Sequence, residues 1–199
     1  MGILDLEKNF AFYAAYHSNP INIAIHMIFV WPIFFTAVLL FNFIPVPFDL
    51  PSIHCALFGS EIILIFNFGF LLTIIYAVFY VCFDFKAGSL AASLCIFCWI
   101  ASSVLASLLG FQLAWKVAVV VQLVSWIAQF VGHGAFERRA PALLDNILQA
   151  FLMAPFFVLF EALHTLFGYE PYPGFNVRVK EMVDEETQHY RNMKGELLS

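Results

Sequence analysis

The chain of 199 residues is 62% hydrophobic and only 12% charged, with a net charge of −5. A water-soluble domain carries about a quarter charged residues, so this composition excludes an ordinary soluble domain. It favours an all-α, polytopic membrane helical bundle that contacts membrane lipid. No basic patch indicates a nucleic-acid partner.

The first segment, residues 3–17, has the apolar spacing of a short amphipathic helix. Charged residues such as Asp5 and Lys8 exclude a cleavable signal peptide here. Leu6 stands where N-myristoylation requires Ser or Thr, so that modification is excluded as well. Asn19-Pro20 ends the helix, because the residue before proline is pushed out of helical geometry.

Four apolar runs follow and are interpreted as membrane spans, with Pro32 inside the first and a turn-rich loop at residues 44–51 after it. The third span is rich in Ala and Ser, which let helix backbones approach closely, so we expect it to be central. The predicted spans are residues 21–43, 56–83, 89–109 and 117–131.

The last apolar stretch, residues 141–167, carries several polar side chains and Pro155 in its middle. It is interpreted as a re-entrant or kinked helical pair. If it returns to the side it left, every basic residue except Lys116 lies on one side of the membrane, which the positive-inside rule favours. We therefore predict four spans plus this pair, with both termini cytosolic. The predicted division is a membrane catalytic domain, residues 1–168, and a polar cytosolic tail, residues 169–199, with a loose helix at about 179–194.

Three histidines stand at the ends of apolar segments: His17, His26 and His133. An imidazole near a bilayer is costly unless it is paired, hydrated or bound to a metal. The predicted topology places all three at similar depth, and the break at Asn19-Pro20 lets His17 and His26 turn toward each other. Glu137 lies four residues after His133 and shares its helical face. Neutral imidazoles with a carboxylate suit Fe(II), Zn(II) or Mn(II); the alternative is three hydrogen-bonded histidines at a membrane interface.

The remaining polar motifs carry weaker signals. Glu161-x-x-His164 has the spacing of di-iron sites, but those sites need the motif twice, so a local polar pair or a substrate-contacting patch is expected. His54 and His189 are expected at the surface. Cys95 and Cys98 lie within an apolar run and are interpreted as packing residues.

Four phenylalanines in the last apolar stretch are open to two interpretations. They could line a groove for an acyl chain, or they could simply pack in the core. The four are Phe151, Phe156, Phe157 and Phe160.

Two segments, residues 12–26 and 129–146, resemble the membrane 2-hydroxy fatty acid dioxygenases, and the similarity extends from Leu4 to about Phe167. The resemblance implies an Fe(II)-dependent enzyme of the endoplasmic reticulum. Such enzymes use O₂ as co-substrate to shorten long-chain 2-hydroxy fatty acids by one carbon, which is the α-oxidation step of sphingoid base degradation. It implies a metal role for His17, His26 and His133.

The same resemblance extends to catalytic candidates, which are Glu137, Asp145 and Asn146. Glu161 also fits the family pattern, whereas His164 does not. Arg138 or Arg139 could pair the substrate carboxylate, since arginine suits that group, or could contact lipid phosphates.

Two other functions stay open on the residues alone. One is another metal-dependent lipid hydrolase or hydroxylase that uses the same ligands. The other is a non-enzymatic membrane scaffold with histidines at the interface. The histidine cluster H-x-x-H-H of classical membrane hydroxylases does not occur in the chain.

Overall fold

The computed structural model describes residues 2–47, 52–57, 60–141, 143 and 146–197. In chain order the elements are α1 (Leu6–Ala15), α2 (Pro20–Phe41), β1 (Ser52–Leu57), β2 (Ser60–Ile65), α3 (Phe68–Phe83), α4 (Phe85–Val131), the π-helical segments π1 (Gly132–Glu137) and π2 (Gln149–Met153), α5 (Ala154–Phe167) and α6 (Phe175–Leu197). The predicted all-α class is confirmed, apart from one two-stranded antiparallel hairpin.

Three helical stretches among these described residues are long and apolar enough to cross a membrane. They are Pro20–Phe41, Phe85–Glu137 and Gln149–Phe167, and α3 is a shorter apolar helix. The chain is therefore a membrane-associated protein, as its composition predicts. The stretch Gln149–Phe167 meets the length required of a span, while the re-entrant arrangement stays a prediction.

The second predicted span begins later than expected. Residues 52–65 form the β1–β2 hairpin, and α3 starts only at Phe68. Asn67 is the N-cap of α3, because its side-chain oxygen accepts a 3.1 Å hydrogen bond from the backbone N–H of Phe70. The prediction of a helix from Ala56 was wrong: the Ile-rich run in β2 favours a strand, and an Asn before an apolar run is a helix start.

The third and fourth predicted spans are joined in α4, a helix of 47 residues. Gly110 interrupts it with φ 63° and ψ 168°, a backbone conformation that glycine adopts without strain. The kink at Gly110 falls at the predicted boundary between the two apolar runs, but the predicted turn at residues 110–116 is helical after Gly110, and two separate spans stay a prediction.

Contacts divide the chain into two compact units, one of which is Ile28–Ala128. Its buried α4 side chains are mostly small, including Ala91, Cys95 and Ser102, as expected for a central helix. Ser102 Oγ accepts a 2.9 Å hydrogen bond from Asn42 Nδ2. The full burial of Cys95 confirms its interpretation as a packing residue.

The other unit combines Met1–Met27 with Gln129–Ser199. Its core is aromatic, since Phe10 contacts Phe157, Phe160 and Phe175 with ring centroids 4.7–6.2 Å apart. Phe156, Phe157 and Phe160 are fully buried, which confirms ordinary packing for these three, whereas Phe151 is 48% exposed.

Helix α6 begins at Phe175, four residues before the predicted start, and packs against α1. The fully buried ring of Phe175 lies in the aromatic core of its unit. Arg178 Nε lies 2.6 Å from Glu7 Oε1, which links α6 to α1 by an ion pair. The C-terminal segment is thus a packed part of the unit that contains α1.

Candidate metal centre

Three histidine rings that are distant in sequence meet in one compact unit. The ring centroids lie 4.3 Å apart for His17–His26, 4.9 Å for His17–His133 and 4.8 Å for His26–His133. One nitrogen from each ring forms a set whose members all lie within 4.8 Å of one another. The side chains are 8%, 5% and 3% exposed. The structure therefore brings together the three histidines that the sequence singled out.

The local backbone determines which nitrogen two of these rings present. His17 Nδ1 lies 2.7 Å from the carbonyl oxygen of Tyr13, and His26 Nδ1 lies 2.9 Å from that of Asn22. A carbonyl oxygen only accepts, so Nδ1 of each ring carries the hydrogen and Nε2 keeps its lone pair. A hydrogen bond from the non-ligating nitrogen to a carbonyl is typical of metal-bound histidines.

The third ring, that of His133, stands in the wide turn of π1. Such π-helical turns often occur at functional sites. Within the described residues, His133 Nδ1 and His17 Nε2 are buried without a hydrogen-bond partner. A buried polar atom without a partner costs about 1–3 kcal/mol, and a bound ion accounts for it. These nitrogens fit a divalent transition metal held by imidazoles.

His17 is neutral at ordinary pH in this environment. Burial lowers its pKa well below the usual value, and the neighbouring rings of His26 and His133 lower it further. A metal ligand must be deprotonated, so the environment keeps this imidazole ready to bind.

Glu137 holds the connection between α1 and α2. Its Oε1 accepts a 2.9 Å hydrogen bond from Ser18 N, and its Oε2 accepts bonds of 3.0 Å from Asn19 N and 3.1 Å from Asn22 Nδ2. A carboxylate at a helix N-terminus is favourable, because the free N–H groups and the helix dipole attract negative charge. The side chain thereby joins π1 to the start of α2 and, through Asn22, to the carbonyl that orients His26.

Gly132 allows this close approach between π1 and α2. A Cβ atom at this position would overlap Asn22 Oδ1, whereas a Cβ at Gly134 would meet no described residue within 4 Å. Asn22 is fully buried and donates to the carbonyl of Tyr16 at 3.3 Å. The first glycine of the G-H-G motif therefore has a packing requirement that the second lacks.

Arg139 lies between two tyrosine rings beside the centre. Its guanidinium carbon is 3.5 Å from the ring centre of Tyr16 and 4.3 Å from that of Tyr190. Nη1 donates to the carbonyl of Ala15 at 3.0 Å, and Nη2 lies 3.4 Å from Glu186 Oε1. Its side chain is only 8% exposed. Through these contacts the arginine, which follows π1, connects α1 and α6.

Arg138 differs from its neighbour in both backbone and exposure. It ends π1 in the left-handed region, with φ 56° and ψ 31°, and its backbone N–H donates to the carbonyl of His133. Non-glycine residues seldom adopt this conformation, and it often occurs at functional sites. The side chain is exposed.

Among the described residues, the metal-ligating cluster contains the three histidines and none of the other predicted site residues. Asp145 lies outside the described residues. Asn146 Oδ1 accepts a 3.1 Å hydrogen bond from Gln149 N at the start of the next helical segment. Glu161 Oε1 accepts from Thr165 at 3.4 Å, and His164 Nδ1 lies 3.3 Å from the carbonyl of Tyr169, so each of the two side chains has a local partner of its own.

The two remaining histidines are exposed, as predicted. His54 lies on β1 and His189 lies on α6. Both are surface residues and serve as natural controls for the three buried ones.

Two polar residues near the centre were missed as candidates. Tyr13 Oη and Gln129 Nε2 are buried and have no hydrogen-bond partner in the part of the chain that is described. Burial raises the pKa of the Tyr13 phenol, with a further contribution from Glu161, so the group stays an O–H donor. Their spacing of four residues from His17 and His133 was the available sequence signal.

A helical, membrane-associated protein with a buried three-histidine site belongs to the class of candidate membrane metalloproteins. Residues 3–166 match the family described as 2-hydroxy-palmitic acid dioxygenase Mpo1-like. The chain is 32% identical over 196 residues to the 2-hydroxy-palmitic acid dioxygenase MPO1 of Saccharomyces cerevisiae, which covers 97% of this chain and 96% of the yeast protein. The chain therefore belongs to the Mpo1-like family. No solved structure matches it.

Proposed function

We propose that this protein is an Fe(II)-dependent dioxygenase that shortens long-chain 2-hydroxy fatty acids by one carbon. The observation that carries the proposal is the convergence of His17, His26 and His133 in a buried cluster. The family and the name of the yeast relative support the reaction class and the substrate. The apolar helices support a membrane setting in which an acyl chain is soluble.

The ligands would be Nε2 of His17, Nε2 of His26 and Nδ1 of His133. A metal held by three protein ligands would still be open to O₂ and to the substrate. Iron supplies the redox and Lewis-acid chemistry, and the protein supplies the geometry.

The surrounding residues would hold these ligands in place. The carbonyls of Tyr13 and Asn22 orient the first two rings through their Nδ1–H groups. Glu137 would be a positioning residue, because both of its oxygens accept hydrogen bonds from residues 18–22. Burial of all three rings would keep bulk water from the reacting atoms.

Arg138 would attract the anionic acid, because its exposed guanidinium stands at the end of π1. Asp145 and Asn146 stay candidates for a catalytic role on the family resemblance alone. We further propose residence in the endoplasmic reticulum membrane with both termini cytosolic, and a place in sphingoid base degradation.

A second candidate is a zinc-dependent lipid hydrolase. Three imidazoles without a carboxylate ligand also form a known catalytic zinc site. Both oxygens of Glu137 already accept hydrogen bonds, so the candidate ligands here are all imidazole nitrogens. Metal identity and oxygen dependence separate the two candidates.

The test uses the full chain purified in detergent without oxygen and loaded with Fe(II). We expect 2-hydroxypalmitate to be converted to the acid one carbon shorter, with uptake of O₂, only after air is admitted. Turnover without O₂, or turnover supported by zinc alone, would replace the dioxygenase with the hydrolase.

A further inference from the structure

Most of the buried polar side-chain atoms without partners among the described residues belong to the unit that contains the three histidines. Within the described residues there are six such side-chain atoms, and Trp99 Nε1 is the one that lies in the other unit. Two of the remaining five are the histidine nitrogens assigned to the metal, and a third is Asn22 Oδ1, which faces Gly132. The other two atoms are Tyr13 Oη and Gln129 Nε2. Neither is a proposed metal ligand, and neither faces Gly132.

Each of these two residues lies beside a metal ligand. Tyr13 precedes His17 by one turn on α1, and their rings stack with centroids 4.1 Å apart and planes 20° apart. Gln129 precedes His133 by four residues near the end of α4, and both residues are buried. The phenol and the amide thus belong to two different helices, each of which leads to a metal ligand.

The chemistry of the two groups indicates what they bind. A phenol O–H and an amide N–H₂ both donate hydrogen bonds, and their side chains are 5% and 9% exposed. Aromatic rings such as Phe157, whose centroid lies 5.3 Å from that of Tyr13, pack against the phenol. Buried donors in such surroundings favour an anionic acceptor, because hydrogen bonds to charged groups are stronger than neutral ones.

We propose that Tyr13 and Gln129 form the binding site for the carboxylate of the fatty acid substrate, donating from Oη and Nε2 to its oxygens beside the three-histidine centre. This proposal rests on the proposed function and adds two substrate-binding residues to it. In a protein that lacks these two donors, the acid would be held only by its acyl chain and by the metal.

The experiment measures binding of 2-hydroxypalmitate to the full chain in detergent, loaded with metal and kept without oxygen so that no turnover occurs. The variants are Tyr13→Phe, which keeps the stacked ring and loses only the donor, and Gln129→Met, which keeps the length of the side chain. The matched control is Gln122→Met on the same helix. Gln122 Nε2 donates to the carbonyl of Ile33 at 2.8 Å and to Thr36 Oγ1 at 2.9 Å, so this glutamine has structural partners.

We expect Tyr13→Phe and Gln129→Met each to weaken acid binding about tenfold or more, with unchanged metal content. Gln122→Met should lower the melting temperature and leave the Kd per metal-loaded chain unchanged. Hexadecane-1,2-diol, which has no carboxylate, should bind equally to the wild type and to both site variants. Gln129→Glu, which replaces a donor by a negative charge, should weaken acid binding more than Gln129→Met does.

Unchanged acid binding in both site variants would overturn the proposal and assign these groups to bound water. Equal weakening for the acid and the diol would overturn it too, because the effect would then not belong to the carboxylate. The two proposals fail separately. If the wild type shortens the acid and the variants bind it normally, only the proposed carboxylate site is refuted. If the wild type binds the acid through these residues but never consumes O₂, only the proposed dioxygenase activity is refuted.

Discussion

Oε2 of Glu137 accepts a 3.1 Å hydrogen bond from Nδ2 of Asn22, a residue 115 positions earlier in the chain. The carbonyl of the same Asn22 accepts from His26. One carboxylate therefore reaches a metal ligand through a single intermediate residue. Supporting hydrogen bonds of this kind determine how well a metal site is held.

Removing this carboxylate should weaken the centre without removing a ligand. We expect Glu137→Ala to lower metal affinity about 10–100-fold, the range typical of changes to groups that orient ligands. The backbone N–H groups of Ser18 and Asn19 would lose their acceptor, so the melting temperature should fall as well. Titration of the metal-free protein with Fe(II), in the absence of oxygen, measures the affinity. Wild-type affinity in Glu137→Ala would show that the ligands are held without it.

The two glycines of the G-H-G motif should respond differently to alanine. Gly132→Ala places a methyl group against Asn22 Oδ1, and overpacking of this kind costs about 1–3 kcal/mol. Because Asn22 orients His26, metal affinity should fall together with stability. Thermal unfolding in detergent and metal titration measure the two effects.

Gly134→Ala is the matched control, since its new methyl group meets none of the residues that the structure describes within 4 Å. We expect no loss of metal affinity and an unfolding free energy unchanged or raised by up to about 1 kcal/mol. Equal damage from both substitutions would mean that the contact with Asn22 is not the reason for glycine at position 132.

Arg139 and Arg138 are neighbours with different expected roles. Arg139→Met removes the stacking on Tyr16 and Tyr190 and the hydrogen bond to Ala15. We expect a loss of about 1–3 kcal/mol in unfolding free energy. Arg138→Met at the exposed neighbouring position should stay within about 0.5 kcal/mol. Denaturant unfolding and limited proteolysis of α6 measure both, and a larger loss at position 138 would reverse these assignments.

The three-histidine centre could be predicted because it depends on signals visible along the chain. The break at Asn19-Pro20 separates α1 from α2, and the apolar runs place His17, His26 and His133 at segment ends. The spacing of Phe156, Phe157 and Phe160 in an apolar stretch did not separate core packing from a groove for an acyl chain, and their burial became evident only in the structure.

Other features depend on contacts between distant residues and left no local signal. The hydrogen bonds of Glu137 to residues 18–22 could not be inferred, because spacing alone showed only that it shares a face with His133. That Tyr13 and Gln129 have donors without a partner among the described residues becomes evident only from the three-dimensional structure. The β1–β2 hairpin was missed because its apolar strands continue the composition of the adjoining helix α3.

The most direct measurement is the iron content per chain of the detergent-purified protein, loaded with Fe(II) without oxygen. It compares the wild type with His133→Ala and with His189→Ala, whose histidine is exposed on α6. We expect equimolar iron in the wild type and in His189→Ala, and loss of iron in His133→Ala. Retention of wild-type iron by His133→Ala would contradict a metal centre formed by His17, His26 and His133.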